Sequence, residues 1–239
     1  MQIHNRASAF ILGVSIFAGL LGLGYLLGDA AIRFKEYDRS VTVKGLSEHE
    51  YDADVVIWPI QFTVAGNDLV ALYSDIEAST GRIRDFLQHN GIDASEITTA
   101  APAITDKSAQ QYGNNARVEF RYSAVQTVTV YSKNVAAVKA VMSSLSELGK
   151  KGIVFSGGNY QLQTDYLFTR LNEVKPAMIA EATTRARAVA EKFAADSDST
   201  LGKIRRASQG QFSIAARDRN NPHIKKVRVV STIEYYLSD

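Results

Sequence analysis

Apolar positions along this chain follow two patterns. Residues 7–28 carry no charged side chain, and Ala9 to Gly28 reads AFILGVSIFAGLLGLGYLLG. Wound as a helix at ~1.5 Å per residue, 22 residues span roughly 33 Å, close to the ~30 Å hydrocarbon core of a bilayer. The run therefore predicts a transmembrane signal-anchor over residues 1–28. A cleaved signal peptide is the rival reading. Its apolar stretch is typically about 7–15 residues, shorter than this one, although Gly28 and Ala30 offer a small-x-small cleavage site. Residues 29–39 form a charged linker. From 40 to 239 the pattern breaks into short alternations typical of a folded domain.

Those alternations predict individual elements. Val41–Gly45 reads as a short strand, followed by a turn and strand start in the acidic stretch from Glu48 to Asp54. Val55–Val64 reads as a second strand, which Pro59 assigns to an edge or a bulge. Asn67-Asp68 is a helix N-cap signal, with Leu69, Leu72, Ile76, Ile83, Phe86 and Leu87 at helical spacing and Gly91 as the stop. Ile97–Ile104 is a strand broken by Pro102, and Thr105–Ala116 a loop. Val118, Phe120, Tyr122, Ala124, Gln126, Val128 and Val130 alternate along one long strand face. A helix is predicted over 135–148, a strand over 153–163, and a helical region over 166–195 with Pro176 near a kink or first turn. Leu201–Ile214 is extended, Asn220-Asn-Pro222 turns, and Val227 to Leu237 ends the chain as a strand. Helices alternate with strand pairs rather than single strands, which predicts an α+β fold, mainly antiparallel sheet with packed helices.

Composition sharpens this picture at three points. The 239 residues include no cysteine, which excludes disulfide frameworks, thiol catalysis, thiolate metal sites and lipid attachment through cysteine. The net charge of +2 excludes a strongly basic nucleic-acid binder by bulk charge. Flanking charge is ambiguous about orientation. Arg6 precedes the apolar run, and Arg33, Lys35, Arg39 and Lys44 lie after it. By the positive-inside rule this retains the carboxyl part in the cytoplasm, whereas signal-like leaders export the chain behind them. Gly24 and Gly28 form a GxxxG pair, as glycine-rich membrane helices often do.

Candidate chemistry is sparse. His4, His49, His89 and His223 lack metal-ligand spacing, and HExxH, GxSxG and Walker-type patterns are absent. Glu48, Glu50, Asp52 and Asp54 alternate, so in an extended chain they share one side and form a candidate cation site; a solvated turn is the plainer reading. From Lys203 to Arg228 eight basic residues meet one acid, Asp218. Within this region Arg205, Arg206, Arg217, Arg219, Lys225, Lys226 and Arg228 form a candidate anion-binding set for lipid head groups or another anionic envelope component. The alternative is solvated strand faces matched by acids elsewhere. No cofactor is expected.

The order of these segments resembles the SIMPL-domain family of bacterial envelope proteins. The resemblance rests on Val41-Thr-Val-Lys-Gly45, the helix ending at Gly91, Arg121-Tyr-Ser-Ala-Val-Gln-Thr-Val-Thr-Val130, the helix carrying Ala182, Arg185, Ala186 and Ala190, and Leu201-Gly-Lys-Ile204. Arg170–Met178 and Gln209–Ile214 look like a subgroup that begins with a membrane leader. The resemblance implies an α+β fold, export across the inner membrane with the soluble part in the periplasm, and homo-oligomers; it carries no catalytic residues. The expected function is a non-enzymatic, membrane-anchored envelope or stress-related protein. A binding module using the basic region is the alternative, and an enzyme of unrecognised type the third.

Overall fold

A computed structural model describes residues 3–36, 39–109, 119–156 and 163–238. The fold is α+β with antiparallel sheets, packed helices and one amino-terminal apolar helix. That helix, α1 (Ile3–Glu36), runs through most of the expected linker instead of stopping at residue 28. Its apolar stretch, Ser8–Ala30, is long enough to cross a membrane, and the chain buries none of it.

The remaining residues do not cluster as one body. One unit comprises residues up to Glu48, Lys175–Ser213 and Arg228–Asp239; the other comprises His49–Val174 and Ile214–Val227. We call them unit 1 and unit 2.

Unit 2 is a sheet covered by helices. β2 (Val55–Gly66) pairs antiparallel with β5 (Tyr122–Ser132) in unbroken register, Ile60 opposite Val128. β3 (Ile97–Thr99) and β4 (Ala103–Asp106) pair with the far side of β5. β6 (Val154–Phe155) and β7 (Asp165–Leu167) pair with the far side of β2. β2 is thus central, not an edge. Pro59 is tolerated there for a geometric reason. Residues two apart in a strand point their N–H and C=O to the same side, and the Gln61 carbonyl accepts from Ser156 N on the β6 side. The missing Pro59 N–H therefore faces the stretch between β7 and β6, where neither strand reaches it among the described residues.

Helix α2 (Leu69–His89) starts where the sequence places it: the Asp68 carboxylate accepts from Ala71 N at 2.8 Å, and Gly91, at φ +86°, reverses the chain after it. Its stripe of Leu72, Ile76, Ile83, Phe86 and Leu87 buries against Trp58, Ile60, Phe62, Val128 and Val130. The single helix expected over 135–148 is two, α3 (Val135–Ser143) and α4 (Ser146–Lys150), which still bury Val138, Val141 and Leu148. One polar side chain sits in this core. Gln126 Nε2 donates to Ala100 O at 2.8 Å, and its Oε1 accepts from the Thr80 hydroxyl of α2 at 2.7 Å. Both ends of the amide are satisfied, so it is buried without an orphaned polar atom.

Unit 1 is built on small residues. Helix α5 (Leu171–Asp196) supplies its part from Lys175 onward and buries Met178, Ala182, Ala186, Ala190 and Ala194. Spacing of four keeps these methyls on one face. The helix lies so close to β1 (Ser40–Asp52) that a Cβ at Gly45 would overlap the Ala182 carbonyl oxygen and come within 2.6 Å of Ala186 N. Ala186 and Ala190 form a compact cluster with Val43, Ile233 and Tyr235. Polar clamps fix the contact: the buried Ser47 hydroxyl donates to Glu181, and Arg185 donates to Leu46 O at 2.9 Å and pairs with Glu181. The sheet runs β1, β10 (Ile224–Ser238), β8 (Thr200–Gln209), while β9 (Ser213–Ala216) also pairs with β10. β8 ends that order, with nearly every residue exposed.

Two sequence expectations are corrected. β1 continues to Asp52, so Glu48, Glu50 and Asp52 lie on strand and only Ala53 and Asp54 form the bend into β2. Tyr166 and Leu167 belong to β7, and α5 starts only at Leu171 with Pro176 inside it. The loop expected over 105–116 begins instead as the end of β4 and a 3-10 turn over Lys107–Ala109; its remainder, and most of the strand expected over 153–163, lie outside the described residues.

Candidate functional site

The two charged sets singled out from sequence meet in two ion pairs. Glu48 and Glu50 project from β1, where Arg228 Nε lies 4.0 Å from Glu48 and an Arg217 guanidinium nitrogen 3.5 Å from Glu50. Asp54 instead accepts from Thr169 N at 2.8 Å and Thr169 Oγ1 at 2.9 Å, and pairs with Arg170 at 3.3 Å. Burial pushes its carboxyl up, but the Thr169 bonds and Arg170 outweigh that, and the carboxyl lies below its ordinary range. Asp52 lines a separate cleft. The four carboxylates are therefore dispersed, and among the described residues no group of three or more acids and histidines is arranged to hold a metal.

The basic set is dispersed too. Arg205, Arg206 and Arg228 fall in unit 1, whereas Arg217, Arg219, Lys225 and Lys226 fall in unit 2. Arg205 pairs with Glu234 at 3.3 Å and lies over the Tyr236 ring, and Arg206 sits opposite Glu234 in the ladder. Arg217 also donates to Asp218 at 2.9 Å. Burial lowers the Lys225 ammonium's pKa, with Asp165 acting against it. Pairs of this exposed kind are worth about 0–1 kcal/mol each, so they shape local charge more than stability.

A second place, absent from the sequence reading, gathers polar groups more sharply. A cleft of about 460 Å³ opens in unit 2 around the start of α3, lined by Asp52, Ala53, Lys133, Asn134, Val135, Ala136, Lys139 and His223. Its parts are positioned by ordinary local rules. β5 ends at Ser132, whose hydroxyl accepts from Asn134 N at 3.0 Å. Asn134 Oδ1 then caps α3 by accepting from Ala137 N at 3.1 Å. On the other side, Asp218 Oδ1 accepts from the Asn220 and Asn221 amides, closing the turn that precedes Pro222 and His223. The His223 carbonyl accepts from Ala53 N at 2.8 Å, which fixes this residue beside the end of β1.

One side-chain contact in the cleft joins two bases. Lys139 Nζ lies 2.9 Å from His223 Nε2. An ammonium has only donors, so the imidazole accepts at Nε2 and carries its proton on Nδ1. Burial, and next the Lys139 charge, lower the His223 pKa; Asp52 acts in the opposite sense. No hydroxyl or thiol lines the cleft among the described residues, so its chemistry is that of fixed donors and charges. Lys139 and His223 are 84 positions apart, and no local motif links them. Asp52 and the Asn220-Asn-Pro222 turn were visible in the sequence, but nothing there joined them to Lys139.

The comparisons bear on the whole soluble part. The family model described as SIMPL, protein of unknown function (DUF541), matches residues 41–232. That span takes in β1 through most of β10 and leaves out α1. No curated protein matches the chain.

Proposed function

The chain belongs to the SIMPL family, and on that premise we propose that it is a non-enzymatic, membrane-anchored envelope protein that presents its soluble part in the periplasm and assembles with copies of itself. One observation carries the reading: the Ser8–Ala30 segment is apolar up to Asp29, and the described residues bury none of its apolar window. Leaving that surface in water would be costly, and a bilayer of ~30 Å removes the cost. The export side rests on the family resemblance, against the basic flank after the apolar run.

Assembly is supported by the open edge of unit 1. β8 presents ten residues at the end of its sheet order, and tethering in one membrane raises the effective concentration of copies. Lys203, Arg205 and Arg206 make a direct meeting of two β8 edges unfavourable. The contact we expect is head-to-tail, β8 of one copy against β1 of the next, since β1 is the opposite end of that order and carries Glu48.

The test uses full-length chain in non-ionic detergent, mixed from isotopically light and heavy preparations and treated with a lysine-reactive crosslinker. Mixed light–heavy Lys203–Lys44 links and an uncleaved amino terminus are the expected results. Monomers alone would remove the assembly half of the proposal, and a mature chain lacking residues 1–28 would remove the anchor half.

A further inference from the structure

The cleft at the start of α3 is lined by two lysines and one acid. Arg205, Arg217 and Arg228 each face a carboxylate. Lys133 and Lys139 line one cleft, and among the described residues neither ammonium has a carboxylate within 4.0 Å. Lys139 makes its short contact with another base, His223. Asp52 is the one acid of the lining, against two ammonium groups. An anion in the cleft would lie within reach of both positive side chains.

Two further features favour an anion over water alone. First-turn amides of a helix have no acceptor within the helix, and Val135 and Ala136, the first two residues of α3, line this cleft. Asn134 Oδ1 serves Ala137 and leaves these two uncapped. The volume of about 460 Å³ falls within the range of small-molecule sites. Ala53, Val135 and Ala136 add aliphatic wall, which suits a short carbon body behind a charged head.

We propose that this cleft binds a small oxyanion, a phosphate or carboxylate group, held by Lys133, Lys139 and the first amides of α3. His223 orients Lys139 by accepting its hydrogen bond, and Asp52 opposes the anion. The site is distinct from the basic strands singled out by the sequence and needs neither the anchor nor the assembly.

Isothermal titration of the full-length protein in non-ionic detergent tests it, with inorganic phosphate, glycerol 3-phosphate and acetate as separate probes. Saturable one-to-one binding of at least one probe is expected. Acetate alone would identify a carboxylate ligand. Glycerol 3-phosphate tighter than inorganic phosphate would identify a head-group or ester ligand, and the reverse order would identify free phosphate. Lys133→Gln and Lys139→Gln should each weaken binding about tenfold, the loss of one charge-assisted contact. Asp52→Asn should tighten it, while Lys192→Gln on α5 should leave it unchanged. Unaltered thermal melts in the lysine variants would separate lost binding from lost fold. No saturable binding of any probe by the wild-type chain, or equal binding by the Lys133→Gln/Lys139→Gln double variant, would overturn the assignment.

Discussion

The two units reach stability by opposite uses of side-chain size. Unit 2 fills the space between sheet and helices with Trp58, Phe62, Leu72, Phe86, Leu87 and Leu148. Unit 1 removes that space: Gly45 and the alanines of α5 let the helix backbone rest almost on β1. The first arrangement depends on volume being present, the second on volume being absent. A methyl group therefore has contrary meanings in the two places, and substitutions can separate them.

The largest effect should come from emptying unit 2. Phe62→Ala is expected to cost about 3–5 kcal/mol in urea unfolding, because a fully buried aromatic leaves a cavity that its neighbours only partly close. Trp58, the one tryptophan, reports on this core by fluorescence. Gly45→Ala should come next, at about 1–3 kcal/mol, since the added methyl meets backbone atoms that have no rotamer to change. Circular dichroism reads that loss; a Gly45→Ala chain as stable as wild type would break the comparison. If the units unfold independently, dichroism and Trp58 fluorescence will give different transitions for this variant.

Polar groups sharpen the contrast on a smaller scale. Gln126→Ala strips partners from Ala100 O and Thr80 and should cost about 1–3 kcal/mol. Ser231 is the counterpart in unit 1. Its hydroxyl is buried with no hydrogen-bond partner among the described residues, so Ser231→Ala should leave stability within about 0.5 kcal/mol of wild type, or raise it. An exposed pair gives the weakest effect. The bond from Arg217, and next those from Asn221, bring the Asp218 carboxyl down to about 2. A depressed carboxylate contributes stability that is complete above its ordinary range and disappears as pH falls through about 2. Arg217→Gln should return that titration toward the ordinary value, visible by carboxyl-carbon NMR; an unmoved titration would assign the shift to the turn amides instead.

Much of unit 2 was legible in the sequence because its elements are long and carry their own punctuation. β5 alternates cleanly, and α2 is bracketed by Asp68 and Gly91. β7 was not legible, since three residues contain too little period to compete with the helical pattern just after them. β1 looked shorter than it is because its acids read as turn chemistry, whereas Arg228 and Arg217 offset them in the fold. The division into two units was hidden as well, because each draws on segments far apart in the chain. The charged sites show the same limit. Composition located the cations between Lys203 and Arg228, but only pairing revealed that several are matched, and only folding brought Lys139 to His223.

The path of the chain through unit 1 sets an order of events. Ser40 at the start of β1 donates to Glu234 of β10, across 194 positions. During synthesis from the amino end, β1 emerges well before β10 and waits, its ladder groups unmatched, until β10 appears. Unit 1 is thus completed last although it begins first. Removing β10 would leave β1 without its neighbour, so β10 acts as the closing stroke of a structure that β1 began.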